Sequence, residues 1–394
     1  MLDKQFYVSA KDYWSGRVDT DTDYDSFRWH QWVKCIDLNN ISTEIEEEIK
    51  NIKLKFCFIG FCSEQGVQRN KGRVGTALAP DFIRKQMSNL PCSFSNEVKL
   101  YDAGNIVLSS TESESEEACA IEKTVLNHNK VYNAGYSEKR AVRNAEELPL
   151  EKAQMMLGEA VEKILKLGFF PIVLGGGHET TFGHFLGQYN FNKASKEYID
   201  LDCDHRLDIG VVNFDAHFDL RPYDNGCSSG SMFRQMYDLC EKEGNDFGYL
   251  PLGIQQHSNT ISLFKKAKDI GADYVLAKAF QYGGSNSSIL EKIDTFMYNQ
   301  ETAYITICTD VFSSAFAPGV SASQTLGLDP EIVIPIIKHL IRTRKIKGFD
   351  ICEISPRFDQ DNTTANLGAV IIYSVINTIC KINNLDIDYE INMF

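Results

Sequence analysis

Asp215, His217 and Asp219 stand two residues apart after the apolar run Val211-Val212-Asn213-Phe214. In an extended backbone, alternate side chains point the same way. This spacing therefore predicts two carboxylates and an imidazole converging on one point. Such oxygen and nitrogen donors suit hard or borderline divalent ions such as Mn²⁺. A polar strand end that caps a neighbouring helix is the plainer reading of an isolated Asp-x-His. Three further segments weigh against it. Gly175-Gly176-Gly177 follow the apolar run Phe169 to Leu174 and lead to His178 and Glu179. Glycines permit close backbone approach. The Lys-Ser/Thr pair of a phosphate-binding loop and the spacing of a dinucleotide fingerprint are both missing. Tyr304 to Val311 ends in Cys308 and Asp310, again two apart. Phe349 to Pro356 carries Glu353 near its end. A buried structural thiol is the plainer account of Cys308, and strand-end carboxylates like Glu353 are common.

Positioning these groups requires strands that end at one place. Strand, helix, strand repetition predicts an α/β fold, a three-layer α/β/α domain around a mostly parallel central sheet. Ligands in such sheets gather outside the carboxyl ends of the strands. The pattern predicts a helix over 44–50 and a strand over 54–61. A helix opens at Ala79-Pro80-Asp81, where proline fits the first turn. Helical periodicity over 151–167 ends at Gly168, a suitable cap. Further elements are a strand over 169–174, a helix from Thr180, a helix opened by Asp329-Pro330, a strand over 347–354 and a helix from Thr363 to Ile382. Residues 1–394 read as a single domain with insertions near 109–150 and 191–208. The first begins Ser/Glu-rich and reads as a solvated loop. The second reads as an acidic surface loop, so Asp202, Asp204 and His205 are not taken as a metal site.

The formal net charge of −14 disfavours nucleic acid as a partner. An acidic substrate would have to be drawn by a local basic pocket. Eleven scattered cysteines, an odd number without a Cys-x-x-Cys pair, fit reduced thiols. The N-terminus lacks the apolar core of a signal peptide. No run reads as a membrane-spanning helix. A cytoplasmic protein without a membrane partner is expected.

Gly175-Gly176-Gly177-His178-Glu179, Asn213 to Asp219 and Ala317-Pro318-Gly319-Val320-Ser321-Ala322 together resemble the ureohydrolase family, which includes arginase and agmatinase. The formimidoylglutamase branch is the nearest. Gly66 to Arg73, Tyr101 to Gly104, Ser228 to Gly230, Gly253 to Gln256 and the entry Trp14-Ser15-Gly16-Arg17 agree with it. The resemblance implies an arginase-like fold and two Mn²⁺ per chain held by His178, Asp215, His217, Asp219, Cys308 and Asp310. Cys308 falls where the family usually has an aspartate that touches both ions. That departure puts the second ion in doubt, and it leaves a weakened site, a shifted metal preference or redox sensitivity open. The implied reaction is attack of a metal-bridging hydroxide on the formimidoyl carbon of N-formimidoyl-L-glutamate, giving glutamate and formamide as in histidine degradation. Glu353 would hold the amidine, and Asp219 would pass a proton to the leaving amine. A small acidic, amino-acid-derived substrate needs cations, and Arg69, Arg73 and Arg234, with Asn70 beside them, are the candidates. His184 and His257 read as structural. The absence of a histidine from Ser228 to Ser231 argues against arginase itself. An agmatinase-like hydrolase and a metal-poor non-catalytic relative are the alternatives. A homo-oligomer is expected by analogy.

Overall fold

The computed structural model describes residues 1–10, 13–108, 147–197, 207–281 and 286–387. Its centre is a ten-stranded sheet: β1 (Tyr7–Val8), β2 (Val33–Cys35), β3 (Leu54–Cys62), β4 (Val98–Val107), β5 (Phe170–Gly175), β6 (Asp208–Phe214), β7 (Asp246–Ile254), β8 (Val275–Leu276), β9 (Thr302–Cys308) and β10 (Ile346–Cys352). The spatial order is β1-β4-β3-β5-β10-β9-β6-β7-β8, with β2 also paired to β4. Every pairing is parallel except β1 with β4.

The sheet is covered on both faces, as a parallel sheet must be. In β3, Phe56 and Phe58 enter one apolar core while Cys57, Ile59 and Phe61 enter another. In β6, Val212 and Phe214 face the first core, whereas Ile209 and Val211 face a third. Helices Ala79–Met87, Pro330–Arg342 and Thr363–Ile382 pack together on the first face. Helix Leu150–Lys166 lies against helix Thr180–Glu197 on the other. This is the expected three-layer α/β/α arrangement.

Most element boundaries follow the periodicity, and Asp329 caps its helix by accepting from the Glu331 amide. Two points differ from expectation. Residues 191–197 continue helix Thr180–Glu197 and are not part of a loop. Phe191 packs against the core beneath helix Leu150–Lys166 and anchors that extension. Residues 198–206 of that insertion, with Asp202, Asp204 and His205, and residues 109–146 of the other lie outside the described residues. Helix Thr363–Ile382 is long and apolar enough, by length and composition, to cross a membrane. It is a core helix here, with Ala365, Ala369, Ile372, Val375, Ile376 and Ile379 all buried.

Two of the matched motifs serve the fold. Asp102 and Arg84 are both fully buried and form a bidentate ion pair of 2.7 and 3.0 Å. Trp14 Nε1 donates to the same carboxylate at 2.7 Å. The entry segment is thus fastened to β4 by a satisfied buried charge.

Candidate metal centre and cleft

Strands β5, β10, β9 and β6 are consecutive in the sheet and parallel, so their carboxyl ends share one edge. These four strand ends deliver His178, Glu353, Cys308 with Asp310, and Asp215 to Asp219 to one place.

The loop after β5 needs its glycines. A Cβ on Gly176 would stand 2.0 Å from the Ser63 carbonyl oxygen. The Glu353 amide donates to Gly176 O at 2.8 Å, and the His178 amide donates to Glu353 Oε1 at 2.7 Å. Two strand ends are thereby locked in register. Glu353 itself has φ +68, a conformation that few non-glycine residues adopt. Such strain is commonly found where a side chain must be aimed.

The convergence of Asp215, His217 and Asp219 has a different cause from the one expected. β6 ends at Phe214, and residues 215–219 form a turn instead of an extended strand. Asp219 has φ +48. Asn259 holds the turn, accepting from the Phe218 amide at 3.0 Å and donating to Ala216 O at 2.9 Å. The His217 amide donates to Asp215 Oδ1 at 2.7 Å.

The side chains form two groups of donors that share Asp215. His178, Asp215 and Cys308 make one, and Asp215, His217 and Asp310 make the other, with the donor atoms of each group within 4.8 Å of one another. His178 Nδ1 lies 3.1 Å from Asp215 Oδ2 and 3.1 Å from Asp219 Oδ2. His217 Nδ1 lies 3.1 Å from Asp310 Oδ2 and 3.4 Å from Asp215 Oδ1. On its far side His178 Nε2 meets the Thr306 hydroxyl at 3.0 Å, and Thr306 donates to Asp350. A proton on Nε2 leaves Nδ1 free as a ligand, the usual support of a metal-binding histidine. His184 Nδ1 is 2.7 Å from the other oxygen of Asp350, a structural role. A third cluster of His178, Asp350 and Cys352 belongs to this supporting network, because Asp350 already accepts from Thr306 and Thr181.

The charge balance calls for cations. Asp215, Asp219, Asp310 and Glu353 are all buried. Buried carboxylates are normally paired or hold metal. Here histidines are the only basic side chains within ion-pair distance of these carboxylates among the described residues. Asp310 Oδ1 and Glu353 Oε2 are buried acceptors without a hydrogen-bond partner. Burial opposes charge on His178, but hydrogen bonds that its ring donates to Asp215 and Asp219 prevail and hold its pKa well above the ordinary value. Burial, then the Asp215 charge, raises Asp219. Burial, then Glu179, lifts Glu353 to about 8. Divalent ions would relieve each of these perturbations, and the donor set fits them.

The centre floors a cleft of about 280 Å³. Arg73 and Asn70 line it, but Arg69 and Arg234 do not. Arg69 pairs with Glu151 and donates to Cys227 O at 2.9 Å, tying the first turn of helix Leu150–Lys166 to the segment that follows β6. Arg234 pairs with Asp238 one helical turn on, at 2.9 Å. Arg73 donates to Val320 O and Ser321 O and stacks 4.3 Å over Phe358. Its guanidinium holds the 320–321 segment. Asn70 Nδ2 reaches Ser229 Oγ at 3.3 Å. The cations left over are Lys71 and Arg221. Both line the cleft, both are exposed, and neither has a side-chain partner among the described residues. Arg221 stands two residues past Asp219, the one sequence signal that could have marked it. Lys71 sits at φ +61, which no sequence signal announces. Glu179 was also missed as a buried participant. Its Oε1 accepts from Ser63 Oγ at 2.7 Å and the Gly66 amide at 2.9 Å, which packs 66–73 against the glycine loop.

A family model described as the arginase family matches residues 54–377, and the chain belongs to that family. Among its relatives, the formimidoylglutamase of Clostridium tetani is 46% identical over 388 residues, covering 98% of this chain and 99% of that protein. The formimidoylglutamase of a Geobacillus species is 35% identical over 359 residues, 91% of this chain and 92% of that protein. Among solved structures, Trypanosoma cruzi formiminoglutamase with Mn²⁺ superposes with a TM-score of 0.60 at 20% identity, covering 83% of this chain and 94% of that one. Likeness at that identity speaks to the fold alone.

Proposed function

We propose that this chain is a metal-dependent hydrolase that cleaves the formimidoyl C–N bond of N-formimidoyl-L-glutamate to give glutamate and formamide. The observation that carries this reading is the cleft itself, with a buried carboxylate-rich floor and two unpaired cations, Lys71 and Arg221, along its lining. The relatives named formimidoylglutamase support it over nearly the full chain.

His178, Asp215, His217, Asp219, Cys308 and Asp310 would hold two divalent ions, and Mn²⁺ accompanies the fold in the Trypanosoma cruzi protein. When bound, such a pair supplies Lewis-acid polarisation and an activated water. Glu353 Oε2, buried and without a partner, accepts the N–H groups of the amidine and fixes the carbon to be attacked. Asp219, beside the ions and in the lining of the cleft, would carry a proton to the departing glutamate amine. Lys71 and Arg221 receive the two carboxylates of the glutamyl part. The cationic tail of agmatine would face those same two cations, which disfavours an agmatinase. Homo-oligomerisation is part of this proposal only by analogy with the family.

The test is a panel of N-formimidoyl-L-glutamate, agmatine and arginine offered to Mn²⁺-loaded protein, with formamide and urea assayed separately. Turnover confined to the first is expected. Urea release from agmatine or arginine as the dominant activity would overturn the assignment.

A further inference from the structure

The two donor groups share Asp215 but are not chemically alike. One contains a sulfur, Cys308, beside His178 and Asp215, with Asp219 also 3.1 Å from His178 Nδ1. The other, Asp215 with His217 and Asp310, offers only nitrogen and oxygen. Cys308 is buried at 2% exposure and ends β9 directly opposite Cys352 of β10. Its sulfur makes no hydrogen bond among the described residues, which leaves its lone pairs available to an ion. Thiolate is a soft donor that favours Zn²⁺ and its neighbours, whereas carboxylate-rich sites retain Mn²⁺.

Resting on the metal-centre reading above, we propose that the two ion positions are unequal: the Cys308–His178–Asp215–Asp219 position selects a borderline ion such as Zn²⁺ or Co²⁺, and the Asp215–His217–Asp310 position takes Mn²⁺. Offered both kinds of ion, the centre then holds a mixed pair, while Mn²⁺ alone fills both positions. On binding, the sulfur's proton leaves to solvent and the ion takes its place, without any change in oxidation state. Cys352 is the competing thiol, but it hydrogen-bonds within the Asp350 network.

The experiment uses full-length protein stripped by chelator under reducing conditions, then given one equivalent each of Co²⁺ and Mn²⁺. Metal analysis, near-ultraviolet absorption and electron paramagnetic resonance are read. One ion of each kind should bind, with a thiolate-to-cobalt charge-transfer band. Zn²⁺ in place of Co²⁺ should leave an isolated six-line Mn²⁺ signal instead of a spin-coupled pair. Cys308→Asp and Cys308→Ser should lose the band, and Cys352→Ser should keep it. The preference for Co²⁺ over Mn²⁺ at this position should fall by about 10-fold or more in Cys308→Asp, at least the effect that altering a ligand's outer-shell partner has on affinity. Cobalt bound without the band, a band that survives Cys308→Asp, or a spin-coupled Mn²⁺ pair formed in competition with Zn²⁺ would each overturn the inequality. Failure to bind any ion would overturn the metal-centre reading itself, a result separable from the other three.

Discussion

Lys71 and Arg221 give the sharpest prediction, because three other basic residues of the neighbourhood are occupied elsewhere. Replacing either by Met removes one charged hydrogen-bond donor from the cleft and disturbs no existing partner. A hydrogen bond to a charged group contributes about 1.5–3 kcal/mol. Both side chains are exposed, so solvent and salt reduce this toward the lower figure. Each substitution should then lower kcat/KM for N-formimidoyl-L-glutamate by about 10-fold, and the pair together by about 100-fold. The loss should be smaller at high ionic strength, and thermal stability should be unchanged. Arg69→Met and Arg234→Met are the matched controls. Each breaks a partly exposed ion pair, which costs about 0.2–1 kcal/mol of stability. Neither should change kcat/KM by more than about 3-fold, since neither reaches the cleft. The assay is formamide release at several substrate and salt concentrations. Near-normal kcat/KM in both cleft variants, with a large loss in Arg69→Met or Arg234→Met, would refute the reasoning.

Three more predictions concern the frame. Arg84→Met strands the fully buried Asp102 carboxylate and should cost about 3–5 kcal/mol in denaturant unfolding; a loss below about 1 kcal/mol would contradict its role as a satisfied buried pair. Gly176→Ala places a Cβ 2.0 Å from Ser63 O, a backbone atom that cannot swing away. It should destabilise by about 3 kcal/mol or more and reduce metal uptake, because His178 follows two residues later. Glu179→Gln should act in a pH-dependent way in chelator-treated protein. Burial raises the Glu179 pKa to about 7 from 4.5, so the folded state holds this proton more tightly than the unfolded chain. Stability tied to that proton is present below 4.5 and is lost as pH rises through about 7, a span worth about 3 kcal/mol. The variant should therefore gain stability relative to the parent between pH 5 and pH 8 in thermal melts. A difference that stays constant with pH would contradict the assignment.

The layers were legible because each rests on local periodicity. The alternation of Phe56 and Phe58 with Cys57, Ile59 and Phe61 is a two-faced strand in sequence and in space. The meeting of His178, Asp215, Cys308 and Asp310 was legible for a similar reason, since donors that end apolar runs must meet where parallel strands end. The mode of meeting was not. Asn259 bends residues 215–219 into a turn from forty residues away along the chain, and no spacing rule sees that contact. The partners of the candidate arginines were hidden for the same physical cause. Arg69 finds Glu151, which is 82 positions away, and Arg73 finds carbonyls 247 and 248 positions away. Which cations remain unpaired is a property of the tertiary structure. The extension of helix Thr180–Glu197 was hidden by its polar surface, where Ala194, Lys196 and Glu197 favour helix without an apolar stripe to reveal it.

The most direct test of the central claim is a product balance. Full-length protein, loaded with Mn²⁺ under reducing conditions and shown by metal analysis to hold it, would be given N-formimidoyl-L-glutamate. Equal molar release of formamide and glutamate is expected, lost on chelation and restored on reloading. Metal-loaded protein that releases neither product would contradict the account.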